Sequence, residues 1–98
     1  MHIGVSVITL EIHSSRSLKD KRRIVKSISE RIKSNFNASV AEVDNNNSWD
    51  KATLAVVCVS NNQKYTNELL TKITNYVLQD KSPVNVLDFS TEIISGNN

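Results

Sequence analysis

The sequence is poor in the residues that build disulfides, metal sites and phosphate-binding loops. Its 98 residues include one cysteine, one proline, two glycines and one tryptophan. Cys58 has no partner for an internal disulfide and no neighbouring Cys or His with which to hold a metal, so it is expected to be a small core residue. A glycine-rich phosphate loop, a Ser-His-Asp order and a carboxylate cluster are all missing. We therefore expect no catalytic residues, no metal and no cofactor.

Long apolar segments are also missing. No apolar run approaches the roughly 20 residues that a membrane-spanning helix needs. Residues 1–10 lack the basic leader and the small-residue cleavage site of a signal peptide. Together with the lone cysteine, these features favour a cytoplasmic protein without membrane contact. The length, with 39% hydrophobic and 22% charged residues, predicts one globular domain over residues 1–98.

Six segments alternate between strand-like and helix-like patterns. Their order, β-α-β-β-α-β, predicts an α+β fold of the ferredoxin-like type, with a four-stranded antiparallel sheet and two helices on one face. The expected strands are 2–13, 38–44, 52–60 and 84–94. The expected helices run from Ser17 to about 35 and from 61–62 to before Asp80. Residues 95–98 are expected to be a frayed tail.

Both helices have a recognisable start and an apolar stripe. Ser17 followed by Asp20 resembles a capping box at the start of the first helix, and Asn61 and Asn62 precede the second. The expected buried faces are Leu18, Val25, Ile28 and Ile32 in the first helix and Tyr65, Leu69, Ile73, Tyr76 and Val77 in the second.

The strands predict that the second face of the sheet is apolar. In strand 2–13, apolar residues occupy both parities, so either a bulge shifts the register or both faces are partly buried. Strand 52–60 is a nearly continuous apolar run, which is typical of a central strand with both faces covered. We expect the open face to meet a partner, most simply a second copy of the chain in a homodimer.

Charge is distributed unevenly along the chain. Residues 14–36 carry eight basic and two acidic residues, a net +6, whereas the remainder carries four basic and eight acidic residues, a net −4. Such an asymmetry points to an anionic partner more strongly than the total of +2 does.

The basic residues are concentrated where a helix disfavours them. A helix N-terminus carries partial positive charge, so each cation there costs a few tenths of a kcal/mol, roughly, unless an anion binds. The alternative is a solvated helix face whose long side-chain stems cover the core. Lys21 lies close to the apolar stripe and is expected to snorkel outward or to pair with a strand carboxylate. The residues expected to bind nucleic acid or another anion are Arg16, Lys19, Arg22, Arg23, Lys26 and Lys33.

Trp49 is the remaining candidate for contact with a partner. It follows an Asn-rich turn at residues 45–48. A tryptophan near a turn can anchor a partner or stack on a base, and it can equally close the end of its own core. Both alternatives remain open from the sequence.

Several of these segments resemble the YlxP-like family, a group of small bacterial proteins usually described as a domain of unknown function. The resemblance rests on RSLKDKRR at 16–23, followed by Val25-Lys26-Ser27, on Ser39–Asp44 and on Trp49. It implies a ferredoxin-like fold. It also implies a gene neighbourhood of transcription and translation factors, including ribosome maturation proteins. It implies no established activity.

Three functions follow as hypotheses. The first is a non-enzymatic RNA- or ribosome-associated factor whose cations contact phosphates, for example of rRNA. The second is a dimeric interaction or regulatory module that uses the open sheet face. The third is an acylphosphatase-like enzyme with Arg16 in the first β–α turn, which is disfavoured because that turn contains no glycine. Base stacking on the sheet is not expected, because strand 52–60 contains no aromatic residue.

Overall fold

The computed structural model describes residues 1–45, 47–79 and 84–96. Its four strands form one antiparallel sheet in the order β2-β3-β1-β4. One cluster of buried residues joins both helices to a single face of the sheet. The predicted ferredoxin-like α+β fold is therefore confirmed. The elements are β1 (His2–Ile12), α1 (Leu18–Asn35), β2 (Ser39–Asp44), β3 (Lys51–Ser60), α2 (Gln63–Leu78) and β4 (Val84–Ser95).

Two predicted breaks fall at the limits of the described residues. The expected break after α2 lies at 80–83, outside the described residues. Of the tail expected at 95–98, Ser95 is the last residue of β4 and its Oγ lies 2.8 Å from His2 Nδ1. The Gly96 backbone N–H donates to the Met1 carbonyl oxygen over 2.8 Å. Residues 97 and 98 lie outside the described residues.

Helix α1 begins and packs as its sequence predicts. The Ser17 Oγ accepts a hydrogen bond from the Asp20 backbone N–H over 3.1 Å, so Ser17 is the N-cap. An Asp20 carboxylate oxygen accepts from the Arg16 backbone N–H over 3.3 Å. These bonds satisfy two backbone donors at the helix start. The predicted stripe is buried except at Leu18, which is half-buried.

Helix α2 is capped by Asn62, as predicted, and its predicted apolar face is confirmed at Ile73 and Val77, which are buried. The prediction is wrong at Tyr65, which is exposed, and the helix also buries residues on the neighbouring side. Gly4 in β1 lies against this side of α2, and its missing side chain leaves room for the helix beside the strand. A Cβ at Gly4 would lie 2.7 Å from Thr66 Cγ2 and 2.9 Å from Leu70 Cδ1. The buried residues of α2 are Thr66, Leu70, Ile73, Thr74 and Val77.

The register shows that β1 uses both of its faces. The β1–β3 pairing runs unbroken from His2↔Ser60 to Glu11↔Lys51. The alternation in β1 is continuous, so its apolar residues of both parities reflect two partly buried faces. The irregularity lies in β4, where the pairing with β1 shifts between Thr9 and Leu10 and leaves Leu87 unmatched.

The sheet face opposite the helices carries an uncovered apolar patch. The expectation that both faces of β3 are covered is wrong for the single chain: Val57 is 36% exposed and Val59 is 61% exposed. Both helices lie on the other face, so nothing in the described part of the chain covers these valines. We call this surface the open-face patch; cross-strand pairing assigns to it Ile3, Val5, Val7, Val57, Val59 and Ile94.

Candidate nucleic-acid interface

The six cations predicted to bind an anion are all exposed to solvent. Arg16 lies in the turn before α1, and the other five lie on the helix. A helical period of 3.6 residues places those five within roughly 100° of the helix circumference, beside the buried stripe. We call this set the basic flank; it consists of Arg16, Lys19, Arg22, Arg23, Lys26 and Lys33.

Most cations of the basic flank have no carboxylate partner within the described residues. Arg23 Nη2 lies 3.5 Å from an Asp20 carboxylate oxygen, and the Arg23 side chain is 79% exposed. Such an exposed pair contributes little, on the order of 0–1 kcal/mol. Within residues 1–45, 47–79 and 84–96, the side chains of the other five flank residues form no ion pair. Asp20 is the one acidic residue of the first turn, and its carboxylate also accepts a hydrogen bond from the Arg16 backbone N–H.

Lys21 belongs to the same basic segment, but its side chain is buried and contacts other residues of the chain. Its side chain is 1% exposed, and its Nζ lies 3.0 Å from a Glu42 carboxylate oxygen in β2. The prediction that Lys21 pairs with a strand carboxylate is confirmed. Its Nζ also donates to the carbonyl oxygens of Asn45 over 2.7 Å and Lys51 over 3.2 Å. These bonds fasten the first turn of α1 to the β2–β3 hairpin.

Trp49 lies on the surface of that hairpin. It is 52% exposed, so it does not close the end of the core. Polar groups of Asn45, Ser48 and Asp50 form hydrogen bonds within the hairpin. Asn45 adopts a left-handed conformation with φ of 64°, and the Ser48 backbone N–H donates to the Asn45 carbonyl oxygen over 3.0 Å. Ser48 Oγ lies 2.9 Å from an Asp50 carboxylate oxygen.

The turn between β1 and α1 is closed by its own serines. Ser15 is buried, and its Oγ donates to the Ser17 carbonyl oxygen over 3.0 Å. Arg16 is exposed beside it. Elsewhere, burial raises the pKa of the Cys58 thiol, which keeps it protonated at neutral pH. In the described part of the chain, His, Cys, Asp and Glu form no cluster suited to a metal ion.

The molecule is electrostatically two-sided. The basic flank lies in the helix layer, whereas cross-strand pairing places Glu11, Asp88 and Glu92 on the open sheet face. Lys51 lies opposite Glu11 on that face. A polyanion is therefore attracted to the helix layer and repelled at the β4 side of the sheet.

This fold and this charge pattern define a small ferredoxin-like α+β domain with a basic helix and an open sheet. The chain belongs to the family described as "Protein of unknown function (DUF503)", whose model matches residues 3–91. It is 27% identical to the "Uncharacterized protein YlxP" of Bacillus subtilis (strain 168) over 75 residues, covering 76% of this chain and 82% of that protein. The resemblance to the YlxP-like family is therefore confirmed.

A structural comparison agrees on the fold. The solution NMR structure of a de novo designed protein with ferredoxin fold, LFR1 1, aligns with a TM-score of 0.51 over 100% of this chain and 88% of that chain. The two sequences are 12% identical, so the likeness concerns the fold alone. Neither α1 nor α2, the helices of the described residues, combines the length and apolar composition needed to cross a bilayer.

Proposed function

We propose that this protein is a non-enzymatic, cytoplasmic RNA-binding factor that holds a phosphate backbone on the basic flank. The observation that carries the proposal is the set of six exposed cations on one side of α1, five of them without an intramolecular ion pair among the described residues. Cations that lack carboxylate partners repel one another. A polyanion removes that repulsion and releases its own counterions on binding.

The length of the basic flank favours an extended polyanion over a small one. Lys19 and Lys33 are separated by 14 residues, which corresponds to roughly 21 Å along the helix axis. A single phosphate contacts only one end of such a row, whereas a nucleic-acid backbone follows it. Contacts of this kind fix orientation rather than sequence. The gene neighbourhood implied by the family resemblance favours ribosomal RNA or a ribosomal subunit as the partner.

A double charge reversal tests this proposal. Arg22→Glu with Lys26→Glu replaces two flank residues that have no ion pair to lose within the described chain, so the fold should persist. Binding to labelled rRNA fragments, followed by fluorescence polarisation, should weaken about tenfold or more, and the salt dependence should become shallower. Co-sedimentation with ribosomal subunits should fall in parallel.

The matched control moves the same charge change to the other helix. Lys64 and Lys72 are exposed on α2, and Lys64→Glu with Lys72→Glu gives the same net charge. This variant should retain RNA binding within about threefold, because only long-range steering changes. Equal weakening by both variants, or no binding of RNA by the unmodified protein, would contradict a specific role for the basic flank.

We further propose that two chains associate through the open-face patch. Val57, Val59 and Ile94 are large apolar side chains left in water by the single chain. Strand spacing and rise give the whole sheet face, with the open-face patch in it, roughly 600 Å² per chain, about what the smaller stable interfaces bury from each partner. Face-to-face stacking leaves both basic flanks on the outside.

Association is tested by light scattering at micromolar concentration. The unmodified protein should have the mass of a dimer, and Val57→Glu should convert it to a monomer by burying an unpaired charge at the interface. Asn75→Glu adds the same charge to the exposed surface of α2 and should leave the mass unchanged. A monomeric mass for the unmodified protein would rule out this mode of association.

A further inference from the structure

The hairpin that carries Trp49 is fastened to the first turn of α1, the helix that carries the basic flank. Lys21 Nζ donates to the carbonyl oxygens of Asn45 and Lys51, which lie on either side of Trp49 in the chain. Two residues span at most about 7 Å, so the Trp49 backbone stays close to the Lys51 anchor. Lys21 itself lies in the first turn of α1, between flank residues Lys19 and Arg22.

A second connection ties the same loop to the strand that leads into α1. The Ile12 backbone N–H donates to the Asp50 carbonyl oxygen over 2.8 Å. Asp50 follows Trp49 directly, and Arg16 comes four residues after Ile12. The same end of the molecule therefore carries Trp49, Arg16 and Lys19. Hydrogen bonds to backbone groups hold the loop on both sides of Trp49.

Half of the Trp49 surface is exposed, although hydrogen bonds hold residues on both sides of it. The one aromatic pair in the described part of the chain joins Phe36 and Tyr76 at the other end of α1, so Trp49 has no aromatic neighbour there. An exposed indole at the same end of the molecule as unpaired cations has the composition of a single-stranded nucleic-acid site, in which cations follow the backbone and an aromatic face receives a base.

We propose that Trp49 stacks on an unpaired base of the RNA whose phosphates lie on the basic flank. This inference rests on the proposed RNA binding and specifies its substrate class as single-stranded RNA, in a loop, bulge or end. A continuous duplex keeps its bases stacked and offers none to Trp49. Lys21 acts as a positioning residue, because its hydrogen bonds hold the hairpin against α1.

The test uses Trp49 as its own reporter, since it is the single tryptophan of the chain. Titration with a single-stranded oligoribonucleotide should quench its fluorescence, whereas a duplex of the same length should leave it nearly unchanged. Polarisation of end-labelled RNA should show that Trp49→Ala weakens single-strand binding by about 5- to 150-fold. Duplex affinity should stay the same, and Trp49→Phe should retain part of the single-strand affinity.

Base stacking by Trp49 and backbone binding by the basic flank are contradicted by different results. If unmodified protein and Trp49→Ala bind single-stranded RNA equally and fluorescence does not change, base stacking is overturned while backbone binding on the flank stands. If the unmodified protein binds neither single strand nor duplex in the polarisation measurement, the proposed function is overturned, and the stacking role falls with it.

Discussion

Gly4 sets the distance between α2 and the sheet. An alanine Cβ at this position would meet Thr66 Cγ2 at 2.7 Å, Leu70 Cδ1 at 2.9 Å and Cys58 Sγ at 3.1 Å. Because two of these distances are shorter than real Cβ contacts, the Thr66 and Leu70 side chains, or α2 with them, must shift. Gly4→Ala should therefore lower the free energy of unfolding by about 1–3 kcal/mol, measured by urea denaturation.

Gly96→Ala is the matched control for Gly4→Ala. Its Cβ meets the flexible end of Met1 at 3.2 Å, so stability should change by less than about 0.5 kcal/mol. Thr66→Ser in the Gly4→Ala background removes one clashing methyl group and keeps the hydroxyl that lies 2.6 Å from Ser60 Oγ. Part of the stability should return. A Gly4→Ala protein as stable as the original would contradict this close approach of α2.

At the scale of elements, Lys21 joins α1 to the β2–β3 hairpin. Lys21→Met keeps the apolar stem but leaves the Glu42 carboxylate and the Asn45 carbonyl oxygen without this donor. Removing one partner of a buried pair costs about 3–5 kcal/mol, and Glu42 is partly exposed, so we expect about 3 kcal/mol in urea denaturation.

Lys19→Met is the control for Lys21→Met. Lys19 is exposed and forms no ion pair within the described chain, so Lys19→Met should change stability by less than about 0.5 kcal/mol. If the two variants were equally stable, the Lys21 bonds would contribute nothing to joining the helix and the hairpin.

Elements with local signals were predictable from the sequence. Ser17 and Asp20 mark the start of α1, and the spacing of Val25, Ile28 and Ile32 marks its buried face, because both signals lie within the helix itself. The start and the buried face of α1 do not depend on where the rest of the chain lies. For Lys21 the sequence left open outward snorkelling or a strand carboxylate, and the position of Glu42 in β2 decides between them.

Features that depend on contacts distant in sequence were not predictable. The predicted stripe of α2 held at Ile73 and Val77 but missed Thr66 and Leu70, which pack at Gly4, about 60 residues away. The unmatched Leu87 in β4 becomes visible only in the pairing with β1. The exposure of Trp49 depends on how the hairpin is fastened, and a sequence containing one tryptophan near a turn carries no signal for that.

At the scale of the whole molecule, the two proposed surfaces lie on opposite layers. The basic flank belongs to the helix layer, and the open-face patch belongs to the sheet face that also carries Asp88 and Glu92. RNA bound to one layer does not need to cover the other. The two surfaces should therefore act independently, since mutations at distant sites without shared partners add in free energy.

This independence makes a prediction about the monomeric variant. Val57→Glu should abolish association but bind a short single-stranded oligonucleotide within about twofold of the unmodified protein, because the flank and Trp49 are untouched. Titration calorimetry should give one oligonucleotide per chain for both proteins. A longer RNA that reaches both flanks should bind the dimer more tightly than the monomer, because the second contact becomes intramolecular. If Val57→Glu instead lost short-RNA binding, the sheet face would have to belong to the RNA site, and the two-sided arrangement would be wrong.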